Sequence, residues 1–308
     1  MNRAAALLPD RRGCSKLLAM TGSLLLHTPT ALEYFASLVA DDASLSVLEA
    51  AIALAHDDYP ALDCQTVLAE IDALAARLKT RIAPDAAPMQ RLRLLNRFFF
   101  QELGFAGNVN DYYDAKNSYL HSVLQTRRGI PITLAVLYVE IAGQIGLSAS
   151  GVSFPGHFLV KLRMPQGEVV IDPFTGQSLS RDELNELLAP YKRDRGLQGD
   201  FDVPLGLFLQ AAGGREVLAR MLRNLKEIHR SNADDRRLLA VQQRLVVLLP
   251  QVWEELRDRG IVYAGLGDDD AAARDLTMYL QNAPDAQDRQ AIAERLARLG
   301  RTGSSRLH

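Results

Sequence analysis

The sequence is poor in cysteine and tryptophan and has no charge excess of either sign. Its two cysteines, Cys14 and Cys64, form neither a disulfide framework nor a metal-spaced cluster, and a reducing cytoplasm is the simplest setting for them. The six histidines are scattered, with no HExxH or paired spacing, so no metal and no cofactor is expected. Lysine and arginine number 35 against 37 acidic residues, a net charge of −2. That balance argues against direct contact with nucleic acid and against an acidic membrane surface. No apolar run approaches the 18 or so residues that a spanning helix needs. Leu17–Leu26 is short, is broken by Thr21, Gly22 and Ser23, and precedes no small-residue cleavage site, so no secretory signal is expected. Met20 is an alternative start to Met1, and residues 1–25 are expected to form a disordered extension.

What is present is mostly helical periodicity. Residues 26–104 read as a helical N-terminal region. Ser46 with Glu49 makes a capping box for a helix carrying Val47, Leu48, Ala51, Ile52 and Ala55 on one face. A second helix carries Val67, Leu68, Ile71, Leu74 and Leu78, and a third ends at Gly104. His56, Asp57 and Asp58 fall at a helix end and read as solvated polar residues.

Residues 105–200 form the central unit. It opens on a loop dense in polar-tipped groups, with Tyr112, Tyr113, Asn117 and Ser118 either packing a surface loop or rimming a cleft. From Gly129 the chain reads GIPITLAVLYVEIAGQIGL, a helix with Pro131 at its first position and an apolar stripe of Ile132, Ala135, Val136, Val139, Ala142 and Ile145. Two strands follow, PGHFLVKLRM and GEVVIDPF. If Arg163 and Glu168 flank the turn, His157 and Asp172 share a face one diagonal step apart, within reach of each other.

Residues 201–300 are helical again and contain a repeat. Pro250 and Pro284 are 34 residues apart, and Gly260, Tyr263, Ala272, Leu276 and Pro284 occupy the small, aromatic, small, large and proline positions of a tetratricopeptide unit. One period earlier stand Lys226, His229, Leu238, Gln242 and Pro250, a weaker copy. Two such units are expected to pack on the central unit. Residues 301–308 are expected to be a disordered tail.

A helix start, a His strand and an Asp strand, in that order, are the parts of a cysteine-type acyl-transfer site. Such a site needs a thiolate at the helix N-terminus, a histidine that moves the proton and a carboxylate that orients it. Here the helix offers Pro131 and Thr133. A proline has no nucleophile, and Thr133 points about 200° away from Pro131 around the helix axis. Nothing in the sequence brings Cys64 to this cleft. A structural His–Asp hydrogen bond is the alternative to a catalytic one.

GIPITLAVLYVE, FPGHFLVKL, IDPF and NDYYDAKNSYL together resemble the transglutaminase-like core of the bacterial SirB family, associated with regulation of SirC expression. ALAHDDYPALD and LRDRGIVYAGLGDDDAAARDL are similar to that family's N-terminal part and tetratricopeptide segment. The resemblance implies an α+β fold: a helical N-terminal bundle, a transglutaminase-like (papain-like) core with a small antiparallel sheet, and a C-terminal helical repeat. It places Pro131 on the nucleophile position and His157 and Asp172 on the other two positions of a degenerate triad. Gly129, Thr133 and Gly156 join Tyr112, Tyr113, Asn117 and Ser118 as the expected cleft. A non-catalytic pseudoenzyme that binds a protein or peptide, in a regulatory role, is the function implied. Hydrolysis of an amide or isopeptide bond by His157 and Asp172 without a cysteine is the alternative.

Overall fold

In the computed structural model, which describes residues 29–197 and 202–305, most helices begin where a side chain or a proline satisfies the first turn. Both candidate starts, Cys14 and the expected extension lie outside the described residues. Helix α1 (Ala31–Leu38) opens on a Thr30–Glu33 capping box, and α2 (Val47–Ala53) on Ser46. The expected reciprocal bond from Glu49 is not recorded there; its carboxylate accepts the Tyr34 hydroxyl at 2.7 Å instead. Helix α3 (Cys64–Lys79) is capped by Asp63. Helix α4 (Pro88–Asn96) starts on its proline and widens into a π turn at Arg97–Glu102. That turn buries Phe98 and Phe99, and the Phe99 ring stacks on Phe105 at 4.4 Å.

The central unit is threaded around one helix. A short parallel pair, β1 (Ala106–Gly107) and β2 (Arg128–Gly129), brackets α5 (Leu120–Thr126) and leads into α6 (Pro131–Gln144). Helix α6 buries Ile132, Thr133, Leu134, Ala135, Leu137, Tyr138, Ile141 and Ala142. That is nearly its whole circumference, where the sequence predicts one stripe. Helices pack on it from several sides, so it behaves as a core helix and not as a surface one.

The sheet is an antiparallel meander: β3 (Ala149–Val152), β4 (Leu159–Met164), β5 (Gly167–Asp172) and β6 (Gln177–Leu179). Arg163 lies opposite Glu168 and Val160 opposite Ile171, the register the turn predicts. Val160, Leu162 and Ile171 face the core shared with α6. Val152, Leu159 and Val170 face a second cluster with Leu184 and Leu188 of α7 (Arg181–Asp194), which opens on a Ser180–Glu183 capping box. Both faces are therefore covered, and each such buried Leu or Val contributes about 1.5–3 kcal/mol.

After the one-turn α8 (Leu205–Phe208), the chain forms α9 (Gly214–Ser231), α10 (Asp235–Leu248), α11 (Trp253–Leu266), α12 (Asp269–Asn282) and α13 (Arg289–Ser305). Gly260 is small for a packing reason, since a Cβ there would lie 2.9 Å from Leu276 Cδ2 and 3.0 Å from Asp275 Cβ. Leu218, Met221, Leu222 and Leu225 of α9 belong to the same core as α6, so the repeat is not freestanding. Helix α13 runs to Ser305, past the point where the tail is expected to fray.

One expectation is overturned at the junction. Asp57 and Asp58 are not merely solvated: Asp57 pairs with the buried Arg244 of α10, and Asp58 accepts Arg237 Nε at 2.6 Å and the Tyr119 hydroxyl at 2.8 Å. Partners nearly 190 residues away leave no local signature.

Candidate functional site

The start of α6 is held from below. Ile130 has no capping side chain, so Pro131 at the first position spares one unpaired N–H. A Cβ on Gly129 would meet Thr133 Oγ1 at 2.9 Å and Val123 at 3.1 Å, which requires glycine there. Thr133 is fully buried, and its hydroxyl lies 2.7 Å from Asn117 O and 3.0 Å from Ile130 O. It closes the turn and is not presented as a nucleophile. Asn117 is buried too; its Nδ2 donates to the carbonyls of Asp111 (2.6 Å) and Tyr112 (3.2 Å), and its Oδ1 accepts from Asn108 (3.0 Å). Ser118 is fully buried with an unpartnered Oγ. Of the expected cleft residues, Asn117, Ser118, Gly129 and Thr133 therefore form its foundation. Tyr112, Tyr113 and Gly156 reach solvent.

Backbone bonds tie three segments together here. Asn108 N–H donates to Gly129 O (3.1 Å), and Gly107 N–H donates to Phe174 O (2.9 Å). The Phe174 ring lies directly over Gly107, where any Cβ would come within 2.3 Å of it. Tyr112 packs 6.1 Å from Phe174 and 5.4 Å from Tyr113. The result is an aromatic shelf with Tyr113 73% exposed and Val109 beside it 76% exposed.

His157 and Asp172 do not form the pair the strand pattern implies. His157 lies in the turn before β4, where Gly156 takes φ +74°, and its backbone N–H donates to Phe154 O at 3.0 Å. Asp172 turns to its own loop: one oxygen accepts Phe174 N–H (2.8 Å) and the other the Thr175 hydroxyl (2.9 Å). No hydrogen bond or ion pair joins the two side chains among the described residues. The register is as expected, but the carboxylate is drawn to the nearest donors of the β5–β6 turn.

The residue that sequence reasoning missed is Arg220 of α9. Its Nη1 donates to Ser153 Oγ (2.9 Å) and to Phe154 O (3.4 Å), and its guanidinium carbon lies 5.6 Å from the Phe158 ring centre. Burial lowers its pKa, and Tyr112 and Glu216 oppose that shift. Burial and Tyr113 raise the Tyr112 pKa while Arg220 pulls it down, so the two side chains are electrostatic neighbours. On α9 an arginine at this position reads as one more solvated charge; only the fold lays it over the His157 turn.

Cys64 is also not isolated. Its Sγ lies 3.6 Å from His56 Nε2, and both line a cavity of about 470 Å³ with Tyr34 and Asp63. The dyad is not activated. His56 Nε2 is 3.0 Å from the Leu62 carbonyl, which only accepts, so that nitrogen carries its proton. Burial pushes the thiol pKa up; a hydrogen bond with Tyr34 opposes the shift, and Glu49 and Asp63 add to it. In a Cys14→Ser background, alkylation of Cys64 by iodoacetamide is expected to be at least about tenfold slower at pH 7.5 than that of an unperturbed thiol. Its pH midpoint should lie above that of an unperturbed thiol, and a midpoint below it would contradict the unactivated thiol.

Two further cavities, of about 160 and 400 Å³, lie against Phe158 and beside Pro250; neither is lined by His157 or Asp172. Among the described residues no group of three or more His, Cys, Asp or Glu is arranged to hold a metal ion.

Residues 65–223 match a family described as the transglutaminase-like superfamily, and residues 225–297 match a tetratricopeptide repeat family. A UPF0162 protein of Xylella fastidiosa is 38% identical over 79% of this chain and 86% of its own length. A UPF0162 protein of Pseudomonas aeruginosa is 30% identical over 85% of this chain and 94% of its own. Protein SirB1 of Salmonella typhimurium is 26% identical over 74% and 82%. No solved structure matches the chain.

Proposed function

Because the chain belongs to the transglutaminase-like family of the UPF0162 and SirB1 proteins, we propose that Pro131 stands at the nucleophile position of such a site and that the protein works by binding a protein or peptide segment and not by catalysis. The observation that carries this reading is the helix start itself. A proline cannot attack a carbonyl, and the covalent route supplies most of the rate in this class of site. Two features support it. Asp172 accepts from two groups of its own turn and, among the described residues, makes no hydrogen bond with the His157 side chain, which fits a site without an oriented general base. The Tyr112–Tyr113–Phe174 shelf offers rigid aromatic area of the kind that anchors peptides. The tetratricopeptide helices would add a second surface, and the role proposed is regulatory, in the cytoplasm. The separation into units at 104/105 and 200/201 belongs to the same proposal. Among the described residues no helix is long and apolar enough to cross a membrane.

The test is to capture partners on the purified protein, identify the bound segment, and titrate that segment against wild type and a Tyr112→Ala/Tyr113→Ala variant. The expected result is saturable binding that weakens at least about tenfold in the variant, as for loss of a central aromatic anchor. Turnover of an amide or isopeptide substrate that vanishes in His157→Ala would sink the proposal and restore the hydrolase alternative.

A further inference from the structure

Helix α9 carries four arginines, and three of them meet a carboxylate: Arg215 with Asp42, Arg223 with Glu255 and Arg230 with Glu227. Among the described residues, Arg220 forms no ion pair, although Glu216, four positions before it on the helix, lies within electrostatic reach. A partly buried cation with no direct ion pair carries a desolvation cost that pairing normally offsets. Here the side chain is held in place all the same, by Ser153 Oγ, the Phe154 carbonyl and the Phe158 ring. That carbonyl also accepts the backbone N–H of His157, so Arg220 and the His157 turn converge on one oxygen.

Both hydrogen bonds use Nη1. The Nε–Nη2 edge remains, and neither of those nitrogens is sealed in the interior without a partner. That edge is the one that matches two carboxylate oxygens. The pairing of β4 with β5, Val160 opposite Ile171, brings the Phe154–Phe158 turn and Phe174 to one end of the sheet, and Tyr112 and the rest of the aromatic shelf pack from Phe174. A fixed guanidinium beside an exposed aromatic shelf is complementary to a chain that carries a carboxylate next to an apolar residue. Among the described residues, Arg220 is the cation that the hydrogen bonds and ring contacts place on the Phe154–Phe158 turn, and a single cation suits a singly charged carboxylate better than a phosphate dianion.

We propose that Arg220 anchors a carboxylate of the segment that occupies this cleft, the adjoining apolar residue lying on Tyr112 and Tyr113. The proposal rests on the binding reading above and names the chemistry of the partner. The carboxylate comes from a peptide C-terminus or from an Asp or Glu side chain, two sources that the experiment separates.

The experiment selects binders to the full-length protein from three libraries of random nonapeptides. The first has free C-termini and no Asp or Glu, the second has blocked C-termini with Asp and Glu allowed, and the third has neither carboxylate source. Individual binders are then titrated against wild type, Arg220→Gln and Tyr113→Ala. The expected result is binders from the first or the second library, which identifies the source, with few or none from the third. Their affinity should fall about tenfold or more in Arg220→Gln, as for loss of a charge-assisted hydrogen bond. Amidating the C-terminus, or changing the Glu or Asp of the peptide to its amide, should weaken binding to wild type equally. That arm needs no protein variant and stands even where Arg220→Gln does not fold. Binders from the third library as tight as the others, and sensitive to Tyr113→Ala, would overturn the carboxylate anchor and leave the cleft reading intact. Binders insensitive to both substitutions, or no binders at all, would overturn both.

Discussion

Replacing Asp57 with alanine is expected to destabilise the protein by about 3 kcal/mol, more than replacing its partner Arg244 with methionine. The asymmetry follows from burial. The Arg244 side chain is 2% exposed and that of Asp57 35%. Without Asp57 the guanidinium stays in the interior, where its Nε and Nη2 already lack partners and what remains is the Ala240 carbonyl, 3.2 Å from Nη1, and the Phe35 ring, 5.7 Å from the guanidinium carbon. Without Arg244 the carboxylate turns to water. The loss corresponds to roughly 5 °C in thermal midpoint for a chain of this size. The double variant Asp57→Ala/Arg244→Met should recover most of it, because an apolar pair of similar volume has no charge to desolvate. Thermal unfolding of the three variants checks this. An Arg244→Met loss larger than that of Asp57→Ala would show that the arginine's packing, and not its charge, holds the junction.

The second large effect is expected at Asn117. Its side chain makes three hydrogen bonds that fasten residues 108–112 to the start of α6, while its carbonyl accepts from Thr133 and Ile130. Asn117→Ala removes the three side-chain bonds. At about 1 kcal/mol net each, less what the exposed loop regains from water, the loss is about 2 kcal/mol. The consequence for function is larger than the stability change, because the freed loop carries Tyr112 and Tyr113. Amide exchange at 108–113 should quicken by about tenfold or more while the sheet is unaffected, and peptide binding should fall with it. Asn117→Asp should be at least as damaging, since it sets an acceptor against the Asp111 and Tyr112 carbonyls. Unchanged exchange in Asn117→Ala would show that Asn117 does not organise the loop.

The elements of this chain that are legible in its sequence are those whose physics is local. Pro131 opens a helix because its ring and missing N–H suit the first turn, wherever that helix sits. Ser180 with Glu183 caps α7 through groups three residues apart. The register of Arg163 against Glu168 follows from a short turn, and Gly260 and Ala272 from a repeat period. The same reading places the helix and the two strands, but it puts His157 on the strand, whereas His157 lies in the turn before β4.

What the sequence could not show is which way polar side chains turn once several donors and acceptors compete. His157 and Asp172 share a predicted face, yet Asp172 bonds two groups of its own turn, because a carboxylate takes the nearest fixed donors. Thr133 and Ser118 look like cleft residues by type and are core residues by burial. Asp57, Asp58 and Arg220 look like solvated charges on helices, and only the packing of α9 and α10 against the rest supplies their partners or withholds one. The sequence by itself determined the helices, the meander and the repeat, since each depends on residues within a few positions of one another. The tertiary structure alone decided that Tyr112 packs against Phe174 and that Arg220 holds the turn before β4, since those groups come from segments far apart in the chain and meet only when the core closes.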